Sequence, residues 1–225
     1  MASTMSFAQT RRRYNLLRKI ALFFSIVFHP VMLPTQFFIF AACMCPEILN
    51  PFSDINLLWR FIALIFITTM VIPLTMLSIH FMLSKQKLNL KLLYLQNRKD
   101  RIYPFFHTAI FYSGITYLFY FKLHLNVFIC AFMSMVTVAL LLVSCLSFFY
   151  KISAHVMALT AVVGYLFFLQ VFLPDVNIIV SICTLILIAG FTASSRLFLQ
   201  AHTPLQLLFG FLAGILATCS CYFWI

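Results

Sequence analysis

Residues 177–225 read NIIVSICTLILIAGFTASSRLFLQAHTPLQLLFGFLAGILATCSCYFWI. The stretch contains two long apolar runs, and the polar segment between them holds Arg196 and His202. A helix needs about 20 mostly apolar residues to cross a bilayer, so each run is long enough for one crossing. Ionisable side chains are costly beside hydrocarbon, and they usually mark a functional site or a membrane boundary. The stretch therefore predicts two membrane helices joined by a short polar turn.

Similar apolar runs fill the rest of the chain. Of the 225 residues, 64% are hydrophobic and 8% are charged, whereas a soluble domain has about a quarter charged residues. Seven segments have the length of a span: 17–44, 57–83, 104–121, 125–149, 155–172, 177–194 and 204–225. We therefore expect an all-α, polytopic membrane helix bundle of about seven spans, in which residues 1–225 form a single membrane domain. His29-Pro30, Pro34 and Pro73 predict kinks whose freed backbone groups are satisfied by neighbouring helices.

The segment 84–97, SKQKLNLKLLYLQN, has a different pattern. Leu88, Leu92 and Leu95 fall on one helical face, and lysines interleave with them. This pattern favours an amphipathic helix that lies in the membrane interface. The alternative is a solvated loop.

The net charge of +11 comes from 15 basic and 4 acidic residues. The basic residues flank the apolar runs, which indicates lipid head groups or membrane topology and excludes nucleic acid as the expected partner. With seven spans, the positive-inside rule places residues 84–103, 150–154 and 195–203 in the cytoplasm. We expect an integral protein of the bacterial inner membrane. The seven cysteines show no metal-ligand spacing, so neither a disulfide nor a structural metal is predicted.

Three polar clusters share that side, and each lies just before a predicted helix: residues 97–104, 151–155 and 195–204. Helix N-termini offer free N–H groups and partial positive charge to an anion. Arginine offers a planar fork that fits phosphate oxygens. His155 and His202 have the chemistry of a nucleophile and a general acid. The residues alone thus predict a phosphate-ester site at one membrane face.

The third cluster resembles a motif of the type 2 phosphatidic acid phosphatase family, whose active-site pattern is related to that of vanadium haloperoxidases. The family pattern is K-x-x-x-x-x-x-R-P, then P-S-G-H, then S-R-x-x-x-x-x-H-x-x-x-D. Ser195, Arg196 and His202 match the third motif in its spacing. The resemblance covers roughly residues 91–225, which form the phosphatase-like core, whereas 1–90 contribute N-terminal spans and the interfacial segment.

The other two motifs match in part. Ser153 and His155 match the second motif, with isoleucine and alanine in place of its proline and glycine. For the first motif, Lys91 and Arg98 have the family spacing, but a lysine follows where proline is expected. Alternatively, Arg101, close to Pro104, fills this role.

The resemblance implies a metal-independent and cofactor-free phosphatase. In it, His202 would attack phosphorus to form a phosphohistidine, and His155 would protonate the leaving oxygen. The phosphoryl group would be held by Arg196, Ser153, Ser195 and one or two of the basic residues Arg98, Lys99 and Arg101. The substrate would be a lipid phosphate: phosphatidic acid, phosphatidylglycerol phosphate, a polyprenyl (pyro)phosphate or a lipid A phosphate.

Gln206 stands where the family has an aspartate that orients the histidine. It also fits a capping box with Thr203 and Pro204, and the two roles are compatible. A neutral amide supplies no charge, so a second hypothesis is a weak or inactive relative that binds or transports lipid phosphates. A third, an unrelated transporter, predicts that the three clusters lie far apart. Gly210 and Gly214 form G-x-x-x-G, which predicts close helix packing within the bundle.

Overall fold

The computed structural model describes residues 7–52, 54–83 and 99–225, and all regular structure in these ranges is helical. The helices are α1 (Phe7–Val27), α2 (Leu33–Met44), α3 (Ile55–Phe66), α4 (Ile72–Leu83), α5 (Lys99–Tyr117), α6 (Val127–Phe149), α7 (Ala154–Phe172), α8 (Ile179–Phe198) and α9 (Pro204–Thr218). Single π-helical segments, Ile67–Val71 and Leu118–Lys122, follow α3 and α5. Short 3-10 segments, Pro46–Leu49 and Cys219–Trp224, follow α2 and α9.

Five described helical segments are long and apolar enough to cross a membrane: Ile55–Ile79, Val127–Phe149, Ala154–Phe172, Ile179–Phe198 and Pro204–Trp224. The all-α fold with membrane-type helices is therefore confirmed, whereas the count of seven spans is not. Large apolar side chains cover much of the outer surface; Val180 is 77% exposed and Phe223 is 90% exposed. Such a surface suits hydrocarbon rather than water. The predicted amphipathic segment 84–97 lies outside the described residues.

Polar residues that lie far apart in the sequence meet at one end of the bundle. Helix α5 packs against α6, and α9 packs against α7. At this end, Ser144 Oγ of α6 donates to the carbonyl oxygen of Ile102 at 2.9 Å. Nearby, the backbone N–H of Ser153 donates to the carbonyl oxygen of Gln206 at 3.1 Å. The first turn of α5 thus lies on the C-terminal part of α6, and the start of α7 lies on the first turn of α9.

The kink at Pro73 is satisfied by a neighbouring helix, as predicted. Proline has no N–H to donate to the carbonyl four residues earlier, which belongs to Thr69. The buried hydroxyl of Tyr112, on α5, donates to that oxygen at 2.8 Å. The π-helical segment Ile67–Val71 precedes the proline, a common way to accommodate a kink.

The first apolar segment is broken into two helices. Helix α1 ends at Val27 and α2 begins at Leu33, with Pro34 in its first turn. The side-chain amide of Gln36 donates to the carbonyl oxygen of Val27 at 2.8 Å and so satisfies a group that the helix end leaves free. His29 lies in the break and is brought to the polar end of the bundle.

The G-x-x-x-G pair brings α9 against α7, which confirms the predicted packing within the bundle. A Cβ atom at Gly210 would lie 2.7 Å from the carbonyl oxygen of Ser153. One at Gly214 would lie 2.5 Å from the carbonyl oxygen of Met157. The two glycines therefore permit the backbone of residues 153 and 157 to contact α9.

Replacing Gly214 by alanine is expected to destabilise the folded protein by about 1–3 kcal/mol, because the added methyl group meets backbone that has to shift. Gly190→Ala is the matched control, since a Cβ at this helical position has nothing within 4 Å. We expect it to be neutral or stabilising by up to about 1 kcal/mol. Thermal unfolding of the two variants in detergent measures the difference, and equal midpoints would contradict the packing.

Candidate functional site

A cavity of about 140 Å³ opens at the polar end of the bundle. Its polar lining consists of His29, Arg101, His155, Arg196 and His202. Its apolar lining lies deeper along α4, α5 and α6 and includes Leu77, Phe105, Tyr112, Val136 and Leu140. The cavity thus joins a cationic, histidine-rich mouth to an apolar interior.

The three polar clusters each contribute a side chain to this cavity. Arg101 comes from the first cluster, His155 from the second, and Arg196 and His202 from the third. Nη1 of Arg101 donates to the carbonyl oxygen of Ile152 at 3.1 Å, which ties the first cluster to the second. The scattering that an unrelated transporter predicts is not found.

Not every predicted site residue reaches the cavity. The Ser195 hydroxyl donates to the carbonyl oxygen of Phe191 at 2.8 Å, one turn earlier in its own helix. Lys91 and Arg98 lie outside the described residues, and Lys99 is described only as the first residue of α5. Of the alternatives for the first motif, Arg101 is the described residue that lines the site.

The turn after α8 explains the spacing between Arg196 and His202. Gln200 has a positive φ of 53°. Its N–H donates to the carbonyl of Leu197 at 2.9 Å, and the next N–H, of Ala201, donates to the carbonyl of Arg196 at 3.0 Å. This is the hydrogen-bond pattern of a Schellman motif, which ends a helix and reverses the chain. The reversal brings His202 back to the same cavity as Arg196.

A capping box at the start of α9 fixes the tautomer of His202. Thr203 is the N-cap residue, and its backbone N–H donates to Oε1 of Gln206 at 3.3 Å. A backbone N–H only donates, so the amide oxygen has to face it. Nδ1 of His202 lies 3.0 Å from that same oxygen and therefore carries the ring proton. This leaves Nε2 of the neutral ring with a lone pair, as a nucleophile requires.

Burial keeps His202 neutral. Its side chain is 7% exposed. Desolvation is the main reason that its pKa falls to about 3; the hydrogen bond to Gln206 opposes this shift, and the charges of Arg196, Arg101 and Lys151 add to it. The ring is therefore uncharged at neutral pH, and three cations lie near it.

Ser153, at the start of α7, does not cap its own helix. It is the N-cap residue of α7 and is fully buried, but its side chain makes no capping bond. Among the residues that the structure describes, Oγ has no hydrogen-bond partner. An unsatisfied buried hydroxyl costs about 1–3 kcal/mol. Ser153 is not among the residues that line the cavity, so the structure does not bring this predicted phosphate-binding residue into it.

His29 is a cavity residue that the sequence interpretation did not include in the site. Its ring lies edge-on to that of His155, with centroids 5.1 Å apart and an interplanar angle of 86°. Nε2 of His155 donates to the carbonyl oxygen of Ser25 at 3.1 Å, because a carbonyl oxygen only accepts. His29 lies next to Pro30 and 126 residues before His155. No local pattern in the sequence indicates the contact between them.

His202 also lines an open, polar cleft on the surface. The cleft lies along residues 197–206 and includes Lys151, whose Nζ donates to the carbonyl oxygen of Ala201 at 3.2 Å. The same histidine therefore faces the cavity on one side and the surface cleft on the other.

The chain matches no protein family model, no curated protein and no solved structure. We therefore infer its function from the motif residues and their geometry.

Proposed function

We propose that the protein is a membrane phosphatase that hydrolyses the phosphate monoester or pyrophosphate of a lipid through a phosphohistidine intermediate on His202. The observation that carries the proposal is the tautomer of this histidine. Two independent N–H groups, of Thr203 and of the His202 ring, share Oε1 of Gln206. They direct the lone pair to Nε2 of a neutral, buried imidazole that lines the cavity.

The shape and charge of the cavity support a lipid phosphate as the substrate. Arg101 and Arg196 supply cationic donors for phosphoryl oxygens. The apolar walls along α4, α5 and α6 suit the hydrocarbon next to the head group. A phosphate on a soluble sugar would leave these walls without a complementary partner.

In the first chemical step, Nε2 of His202 forms a bond to phosphorus and the bond from phosphorus to the lipid oxygen breaks. The histidine ring becomes cationic while Nδ1 continues to donate to Gln206. The leaving oxygen takes up a proton, which we assign to His155. Because Nε2 of His155 donates to Ser25, the transferred proton has to be on Nδ1, and the negative charge of a bound phosphate would favour its uptake there. In the second step, water from the surface cleft cleaves the phosphohistidine and releases phosphate.

A second candidate function is the binding or transport of lipid phosphates without turnover. The neutral amide of Gln206 favours it, because an amide stabilises a histidine cation less than a carboxylate does. Both functions use the anion site, but only the phosphatase forms a phosphohistidine.

Phosphate release from a panel of lipid phosphates in mixed micelles tests the proposal. The panel contains phosphatidic acid, phosphatidylglycerol phosphate, a polyprenyl pyrophosphate and a lipid A phosphate, each with and without a metal chelator. We expect release from at least one lipid and no effect of the chelator. Tight binding without release from any of them would favour the second function.

We further propose that the site faces the cytoplasm. The positive-inside rule favours this side for the basic side chains in segments 84–103, 150–154 and 195–203. A single cysteine introduced into residues 84–97 of a variant without native cysteines tests this. Labelling by a membrane-impermeant maleimide in intact cells would contradict the cytoplasmic assignment.

A further inference from the structure

We infer that His29, in the break between α1 and α2, is a further phosphate-binding residue that donates a hydrogen bond from a neutral imidazole. The inference rests on the proposed function, because it assigns a new donor to the same anion site. It also gives the N-terminal segment, which the motif pattern does not cover, a part in binding.

The position of His29 places it in the candidate anion site. His29 lines the same cavity as Arg101, Arg196 and His202. It lies in the segment between two helices, since α1 ends at Val27 and α2 begins at Leu33. The edge-on contact with His155 packs its ring against the start of α7.

A backbone contact determines the tautomer of His29. The backbone N–H of Val31 donates to Nδ1 of His29, with a distance of 3.4 Å between the two nitrogen atoms. Nδ1 is therefore the acceptor, and in the neutral ring the proton is on Nε2. His29 thus presents an N–H group as its remaining polar atom, as an anion oxygen requires.

The neighbouring His155 differs from His29 in how its ring proton is used. His155 also carries a proton on Nε2, but this proton is donated to the carbonyl oxygen of Ser25 at 3.1 Å. In the histidine pair, the backbone engages the proton of His155 and the lone pair of His29. His29 is therefore the member of the pair whose N–H is left for the ligand, and His155 holds its ring in place.

Two substitutions separate this donor role from packing. His29→Asn keeps an acceptor near the Nδ1 position and removes the donor at Nε2. His29→Gln extends an amide N–H toward the Nε2 position. We expect the asparagine variant to bind inorganic phosphate roughly 10-fold to 100-fold more weakly than the wild type, since a hydrogen bond to a charged group is lost. The glutamine variant should lose clearly less.

The measurement is a titration of the detergent-solubilised full chain with inorganic phosphate by calorimetry. His107→Asn is the matched control, because His107 is exposed on α5 and does not line the cavity. Binding by the asparagine variant within twofold of the wild type would overturn the inference, and so would equal losses of affinity in both His29 variants.

In the wild-type protein, the ring ¹⁵N resonance of His29 Nε2 should shift on phosphate addition. This second measurement does not depend on the folding of a variant, and an unchanged resonance would also overturn the inference.

The outcome separates this inference from the proposed function. A wild-type protein that neither binds inorganic phosphate nor releases it from lipids overturns the anion site as a whole. A wild-type protein that binds phosphate, with a His29→Asn variant that binds equally well, overturns only the role of His29.

Discussion

Replacing His202 by alanine is expected to lower the rate of phosphate release by at least about 1,000-fold, because the atom that bonds to phosphorus is removed. In the wild-type protein, the buried ring presents the lone pair of Nε2, while its proton is held on Nδ1 by Gln206. Among the described residues that line the cavity, no other histidine has this arrangement: in their neutral forms, His29 and His155 both carry the proton on Nε2. The measurement is the initial rate of phosphate release from the best lipid of the panel.

A trapping experiment distinguishes the loss of a nucleophile from the loss of binding. A lipid labelled with ³²P in its phosphate, mixed with protein and quenched in alkali, should leave label on the wild-type chain and none on the His202→Ala variant. His107→Ala is the matched control and should behave as the wild type, because it removes an exposed histidine on α5. Full activity of His202→Ala would refute the proposed mechanism. A wild-type chain that binds lipid phosphate and never carries label would favour the binder.

Local sequence patterns predicted the parts of the site that local structure builds. Thr203, Pro204 and Gln206 form the predicted capping box, since all its hydrogen bonds join residues within one turn. The spacing from Arg196 to His202 matched a family motif, and the Schellman turn at Gln200 supplies its physical reason. Short-range hydrogen bonds depend on a few neighbouring residues, so the sequence carries them directly.

Contacts between distant segments were harder to predict from the sequence. The pairing of His29 with His155 depends on how a break in the first apolar segment packs on α7, and hydrophobic periodicity carries no such information. The hydrogen-bond partner of the Ser195 hydroxyl could not be predicted either, because a serine in a helix donates to its own backbone as easily as to a ligand. The number of spans stays unconfirmed, since α1 and α2 divide one apolar run, and α5 carries a polar first turn.

Replacing Gln206 by glutamate is expected to raise phosphate release roughly tenfold, provided that formation of the phosphohistidine limits the rate. Glutamate has the same reach as glutamine, so its carboxylate accepts from both the Thr203 N–H and Nδ1 of His202. A hydrogen bond to a charged acceptor is worth about 1 kcal/mol more than one to a neutral acceptor. The carboxylate would stabilise the cationic ring that forms when Nε2 bonds to phosphorus. It also suits the N-terminus of α9, where the helix dipole favours negative charge.

Three further measurements make this prediction specific. Gln206→Leu removes the shared acceptor, so it should lower the rate and also weaken the start of α9. Gln206→Asp adds charge on a side chain one carbon shorter, so its rate of phosphate release should rise less than with glutamate.

The pKa of His202, about 3 in the wild-type protein, should rise with glutamate. In the wild type, the unfolded chain binds a proton at His202 below about pH 6.5 that the folded chain does not, so stability falls as the pH drops toward 3. Glutamate should reduce this loss. A glutamate variant with an unchanged rate, a raised pKa and a detectable phosphohistidine would show that a later step limits turnover. A fall in rate would contradict the assignment of Gln206 as the residue that orients the nucleophile.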